Sequence, residues 1–172
     1  LLENFKTNII IKEVDKESVF KNEALPILED IVEVDIWENF NFIHEHSEEP
    51  LFHRQRVLNE MINITETPIV VNYDCDVILP KKSYELAYKG IMDGFYDVVY
   101  PYGSGEYQRQ VLATDTTVSQ FLETGDYEFL NAVSKTHTSD FGWAQFFKTT
   151  VYRQGGMENE NFRAYAPEDK ER

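Results

Sequence analysis

A single cysteine, Cys75, occurs in the 172 residues. One thiol excludes an intrachain disulfide framework and any cysteine-based zinc site. Cations are also scarce: 16 Lys and Arg stand against 31 Asp and Glu, a formal net charge of −15. Neutralising a nucleic-acid backbone needs a basic face, so nucleic acid is not expected as the main partner. A phosphate-bearing small molecule held through a cation remains compatible with this balance. No apolar run approaches the roughly 20 residues of a membrane-spanning helix, so no membrane span is expected. No signal peptide is legible, and the expected location is cytoplasmic. The chain opens on Leu1-Leu2-Glu3 without Met and reads as a segment of something longer.

What is present suits a globular fold. Hydrophobic residues make up 42% and aromatics 14%, enough for one domain with a real core over residues 1–172. Residues 7–15 are β-branched and end in acids, which predicts a buried strand. Residues 16–28 read as a helix with Pro26 near its end, and the alternation in 30–37 as a second strand. Residues 38–51 are polar and read as a loop. Val57, Met61 and Ile64 recur at helical spacing within 53–65. Strands are expected at 67–74 and 96–103, with a helix over 81–94 stopped by Gly94. Residues 104–140 are mixed, with a helix around 126–134, and 141–152 reads as a strand running into a helix. Residues 153–172 read as a loop running into a helix. Alternating strands and helices predict an α/β fold, a mostly parallel Rossmann-like sheet with helices on its faces.

The stretch Ile69-Val70-Val71-Asn72-Tyr73-Asp74-Cys75-Asp76 puts two carboxylates one residue apart at the end of an apolar strand. A buried charge is costly without a partner. In extended geometry residues i and i+2 project to one side, so Asp74 and Asp76 can aim at one point. Hard cations such as manganese and magnesium take oxygen ligands and keep water and substrate phosphates in their shell. A bare D-x-D is otherwise explained by two solvated loop acids.

The run Phe52-His53-Arg54 through Asn59, then Asp74-Cys75-Asp76, then Gly155-Gly156, then Pro167-Glu168-Asp169 resembles, in this order, nucleotide-sugar glycosyltransferases of the GT-A fold. The likeness is to glycosyltransferase family 2, in its galactosyltransferase-like and chondroitin-polymerase-like branches, over about residues 8–172. The resemblance implies transfer of a sugar, with inversion, from a nucleotide diphosphate sugar (UDP-linked) to a glycan or other acceptor hydroxyl. A divalent cation, manganese or magnesium, would assist. It makes Asp76 a direct metal ligand and Asp74 a ligand of the metal through water or of the ribose. Arg54 would lie near the donor phosphates, Phe52 on the base, and Glu13 or Asp15 against uracil or ribose. Asp169, with Glu168, would supply the catalytic base. Gly155 and Gly156 would allow close approach of a sugar, Trp143 would stack on a pyranose, and Glu160 would accept from sugar hydroxyls. Asn59 would hold the D-x-D loop.

The likeness departs from the family at both ends. The first strand is missing, and the metal ligand after Glu-Asp would fall beyond Arg172, with His137 a lone candidate to replace it. A missing first strand predicts an exposed sheet edge and a homodimer through it. Three other readings remain. One is a degenerate, non-catalytic sugar-nucleotide-binding domain. Another is a haloacid-dehalogenase-like phosphatase with Asp74 as nucleophile. The third is a metal site built from His44, His46 and His53, against which stands a plain solvated loop.

Overall fold

The structure is a computed structural model that describes residues 7–31, 34–103, 107–137 and 142–162. These residues are mixed α/β and fall into two compact units. One contains residues up to 65 together with 158–162; the other contains residues 66–157. Among the described residues no helix is long and apolar enough to cross a membrane.

In the first unit, β1 (Ile9–Asp15) and β2 (Phe40–His46) pair in parallel, from Ile9 opposite Phe40 to Asp15 opposite His46. Parallel strands need a crossover. It is made by a π turn at Phe20–Ala24, by α1 (Leu25–Ile31), and by a 3₁₀ turn at Val34–Asn39. Pro26 has no N–H to donate, and the widened π turn stands immediately before it. The strand expected at 30–37 is therefore corrected. The described residues there, 30–31 and 34–37, are helical, and the strand lies at 40–46, inside the expected loop. Phe20 packs on Phe42 and Phe40, at ring-centroid distances of 4.7 and 5.9 Å, and closes the crossover over β2.

α2 (Arg54–Asn63) packs against β1 and buries Val57 and Ile62. Its polar side is tied down by alternating charges. Lys12 of β1, whose side chain is 9% exposed, pairs with Glu45 of β2 and Glu60 of α2. Arg56 bonds the same two carboxylates, at 2.9 Å to Glu45 and 2.7 Å to Glu60. A nearly buried lysine is tolerable only when paired in this way.

The second unit is built on a three-stranded sheet in the order β3 (Ile69–Tyr73), β7 (Ala144–Lys148), β4 (Val98–Val99). β7 runs antiparallel to both neighbours. β5 (Arg109–Val111) and β6 (Ser134–Thr136) form a separate antiparallel pair, joined through α4 (Asp115–Thr124) and α5 (Tyr127–Ala132). Parallel pairing among the described residues is thus confined to β1–β2, which corrects the expectation of a mostly parallel sheet. A strand buried on both faces reads the same in either direction, so composition does not reveal which way it runs.

α3 (Lys81–Met92) lays Tyr84, Ala87 and Ile91 into the core at helical spacing. Gly94 follows its end at φ +77°. Phe146 and Phe147 of β7 are buried, and Phe147 stacks on Tyr152 of α6 (Thr149–Gln154) at 4.1 Å. Asn72 Nδ2 donates to Tyr152 Oη at 2.9 Å, and Thr149 Oγ1 donates to Thr67 O at 2.8 Å. These bonds fix α6 to β3.

The charge network makes stability pH-dependent. Hydrogen bonds from Arg56 and then Lys12 hold Glu45 at about 2, below its ordinary 4.5. Glu60 is lowered too, first by Lys12, with burial opposing and Arg56 assisting. A depressed carboxylate contributes stability above its unfolded-state pKa and loses it as pH falls toward the folded value. Glu45 is 36% exposed, so solvent screening limits the contribution to about 1 kcal/mol. Glu45→Gln is therefore expected to melt below wild type at pH 7, with the two melting temperatures converging as pH falls from about 4.5 toward 2. A constant gap across that range contradicts the network.

Candidate functional site

The D-x-D acids stand at the end of β3, where the ladder with β7 continues one rung further. Asp74 N donates to Trp143 O at 2.9 Å, beyond the last strand pair, Tyr73 with Ala144. The chain then turns: Val77 N donates to Asp74 O at 3.1 Å, closing a β-turn over Cys75 and Asp76. This corrects the extended geometry expected of Asp74 and Asp76. The turn, not the strand period, sets their directions. Asp74 is half-buried and Asp76 exposed.

Two tyrosines fasten this turn. Tyr73 Oη donates to Val77 O at 2.5 Å, Tyr84 Oη donates to Tyr73 Oη at 2.6 Å, and Leu79 N donates to Tyr84 Oη at 3.3 Å. Tyr73 Oη thus donates to the turn's carbonyl while accepting from Tyr84. Burial, and then the bond with Tyr84, push the Tyr73 phenol well above its ordinary pKa, so it stays a donor. Tyr84 itself is buried against Phe146. Neither tyrosine was among the expected site residues. The available signal was Tyr84 on the buried stripe of α3, because a buried phenol must find a hydrogen-bond partner.

Trp143, expected to stack on a sugar, is half-buried beside the acids. Its ring lies 5.4 Å from Tyr102 and 6.4 Å from His137. Tyr102 Oη accepts from Gly142 N at 3.0 Å and continues edge-on to Tyr100. Trp143 is therefore joined to Asp74 through its backbone and to His137 through its ring.

In the first unit, Glu13 serves its own fold. Its Oε1 accepts from Val19 N and Phe20 N at 2.8 and 3.0 Å, and its Oε2 accepts from Ser18 Oγ at 2.5 Å. Burial opposes ionisation, yet the bonds from Ser18, Phe20 and Val19 outweigh it and lower the pKa. Glu13 is thus a helix cap with both oxygens occupied. Asp15 is exposed at the strand's carboxyl end, where its Oδ1 accepts from Lys16 N at 2.6 Å. His44 Nε2 donates to Asp15 O at 3.1 Å, and His46 Nδ1 donates to Lys16 O at 2.9 Å. His53 caps α2, with its side chain accepting from Arg56 N at 3.3 Å. The three histidines thus serve strand and helix ends, and 44 and 46 lie in β2, not in a loop. Among the described residues no three His, Cys, Asp or Glu side chains are grouped as a metal cage.

Phe52 is half exposed just before α2, and Arg54, half-buried, is the helix's first residue. The role expected of Asn59 is corrected. It does not hold the D-x-D loop but clamps residues 158–160: Nδ2 donates to Glu158 O at 3.0 Å and to Glu160 Oε1 at 2.8 Å, and Glu158 N donates to Oδ1 at 2.9 Å. All its amide capacity on that side goes to one segment, so Glu160 is a partner of Asn59 as well as a surface acid. Gly155 closes α6, and Gly156 at φ +97° takes a left-handed conformation suited to glycine. Glu168 and Asp169, expected to be catalytic, lie outside the described residues.

Tyr73→Phe removes the donor to Val77 O and one partner of Tyr84. It is expected to cost about 1–2 kcal/mol and to speed amide exchange at Leu79. Unchanged exchange there contradicts the tyrosine clamp. No family model, curated protein or solved structure matches this chain.

Proposed function

We propose that the chain is a GT-A-type glycosyltransferase domain that uses Asp74 and Asp76 to hold a divalent cation and, through it, the diphosphate of a nucleotide sugar. One observation supports this reading most: the D-x-D acids ride a turn pinned by Trp143 O and by the Tyr73–Tyr84 pair, at the end of a buried strand. Two carboxylates on such a turn suit a hard cation that completes its shell with water and phosphate oxygens. Manganese or magnesium, when bound, would neutralise charge on the departing diphosphate.

The protein's own work is then positional and acid–base. The turn fixes where the donor's diphosphate lies. Trp143, whose carbonyl accepts from Asp74 N and whose ring neighbours Tyr102 and His137, is the ring proposed to meet the pyranose. An acceptor hydroxyl attacks the anomeric carbon as the bond to the diphosphate oxygen breaks, and its proton passes to a carboxylate. Asp169 is proposed for that carboxylate, with Glu168 beside it, on the resemblance of Pro167-Glu168-Asp169 alone. Of the nucleotide contacts the resemblance implies, Glu13 is the one its surroundings argue against, because both its oxygens already cap a helix.

Calorimetry with a panel of nucleotide diphosphate sugars, with and without manganese, tests the proposal. Manganese-dependent binding is expected for at least one donor. Asp76→Ala should abolish it, while Glu123→Ala, an exposed acid of α4, should leave it intact. Binding that survives Asp76→Ala, or no manganese-dependent binding at all, overturns the proposal. A parallel turnover assay separates an active transferase from a domain that binds without reacting.

A further inference from the structure

The second unit carries an open groove of about 830 Å³, lined by five tyrosines, 96, 100, 102, 107 and 127, and by Arg109. Its chemistry differs from the rest of the molecule. The chain has 31 Asp and Glu, yet among the described residues none lines the groove, where the one charged residue is a cation. We infer that this groove binds an anionic saccharide, with sugar rings stacked on tyrosine faces and the anionic group on Arg109.

The rings are held ready for this. Tyr107 and Tyr96 are 72% and 62% exposed, so two large rings present apolar surface in the groove. Each nevertheless abuts a glycine. A Cβ at Gly103 would come within 2.8 Å of Tyr107 Cδ2, and one at Gly90 within 2.9 Å of Tyr96 Cδ2. The glycines give the rings fixed seats, so little side-chain freedom is lost when a sugar stacks on them.

Arg109 is similarly oriented. Its Nε donates to Ser134 Oγ at 2.5 Å and its Nη2 to Ser134 O at 3.2 Å across the β5–β6 pair. Nη1 has no bond among the described residues and remains to receive an anion. A planar guanidinium fixed along one side favours carboxylate or phosphate over a neutral hydroxyl. The groove begins at Leu79 and Pro80, just past the D-x-D turn, and reaches Tyr102, the ring beside Trp143. The inference rests on the groove's chemistry and does not require that Asp74 and Asp76 bind a metal.

The test is calorimetry on the full chain without metal or nucleotide. The probes are an oligogalacturonate, a phosphorylated hexose, a neutral glucose oligosaccharide and a proline-rich peptide. An anionic probe is expected to bind at least about tenfold more tightly than the neutral sugar, with Arg109→Gln erasing that preference. The oligogalacturonate and phosphorylated arms identify which anion is preferred. Tyr107→Ala, truncating an exposed ring, is expected to weaken the preferred sugar about fivefold with unchanged melting temperature. Equal binding of the neutral sugar, binding of the peptide alone, or no binding overturns the inference. So does an anion preference that survives Arg109→Gln.

Discussion

The antiparallel ladder between β3 and β7 is the constraint on which the second unit depends. It buries Phe146 and Phe147 under α3 and α6, and its last rung, Asp74 N to Trp143 O, decides where the chain may leave the sheet. Because that rung ties Asp74 to the residue before β7, the acids and Trp143 become neighbours although they lie far apart in sequence. The bond from Asn72 to Tyr152 holds the same strand from its other side, so β3 cannot slide by a residue without losing both. The tyrosine pair then carries rigidity from α3 into the turn. Placement of Asp74 and Asp76 is thus a consequence of core packing as much as of the turn itself.

Charge is arranged differently in the two units. In the first, Lys12 and Arg56 are surrounded by Glu45 and Glu60, and their role is structural: they let two strands and a helix approach with polar side chains between them. In the second, Arg109 stands in a tyrosine groove with no acid among the described residues of its lining. A cation balanced by carboxylates stabilises a fold, whereas one kept away from them is available to a ligand. The strongly acidic composition makes the second arrangement the informative one.

Much of this was legible locally. The β-branched run before Asp15, the apolar spacing of α2, the Val-rich β3 and the Gly94 stop each reflect neighbours within a few residues. The second strand was not, because residues 38–51 are polar, with His44, His46 and Glu48-Glu49-Pro50, and read as a loop; within the strand Glu45 is accommodated by pairing with Lys12 and Arg56. Residues 30–37 alternate like a strand, yet 34–39 wind as a 3₁₀ turn within the crossover that joins two parallel strands. α4 did carry local signals, Thr114 accepting from Thr117 N at its start and Gly125 at φ +62° at its end, in a region whose polar composition obscured them. For the site, the acid pair was visible as a motif. Its fastening was not, because Tyr73 and Tyr84 meet only through tertiary packing, and Asn59 finds its partners 99 and 101 residues away.

The central claim is that the pinned turn after β3 is where a divalent cation meets this protein. Amide NMR during titration with manganese and a uridine diphosphate sugar tests it most directly, because the paramagnetic ion broadens only resonances near it. The account predicts selective loss of the Asp74, Cys75, Asp76 and Val77 signals, with Trp143 next. Broadening centred on other residues, or none, contradicts it.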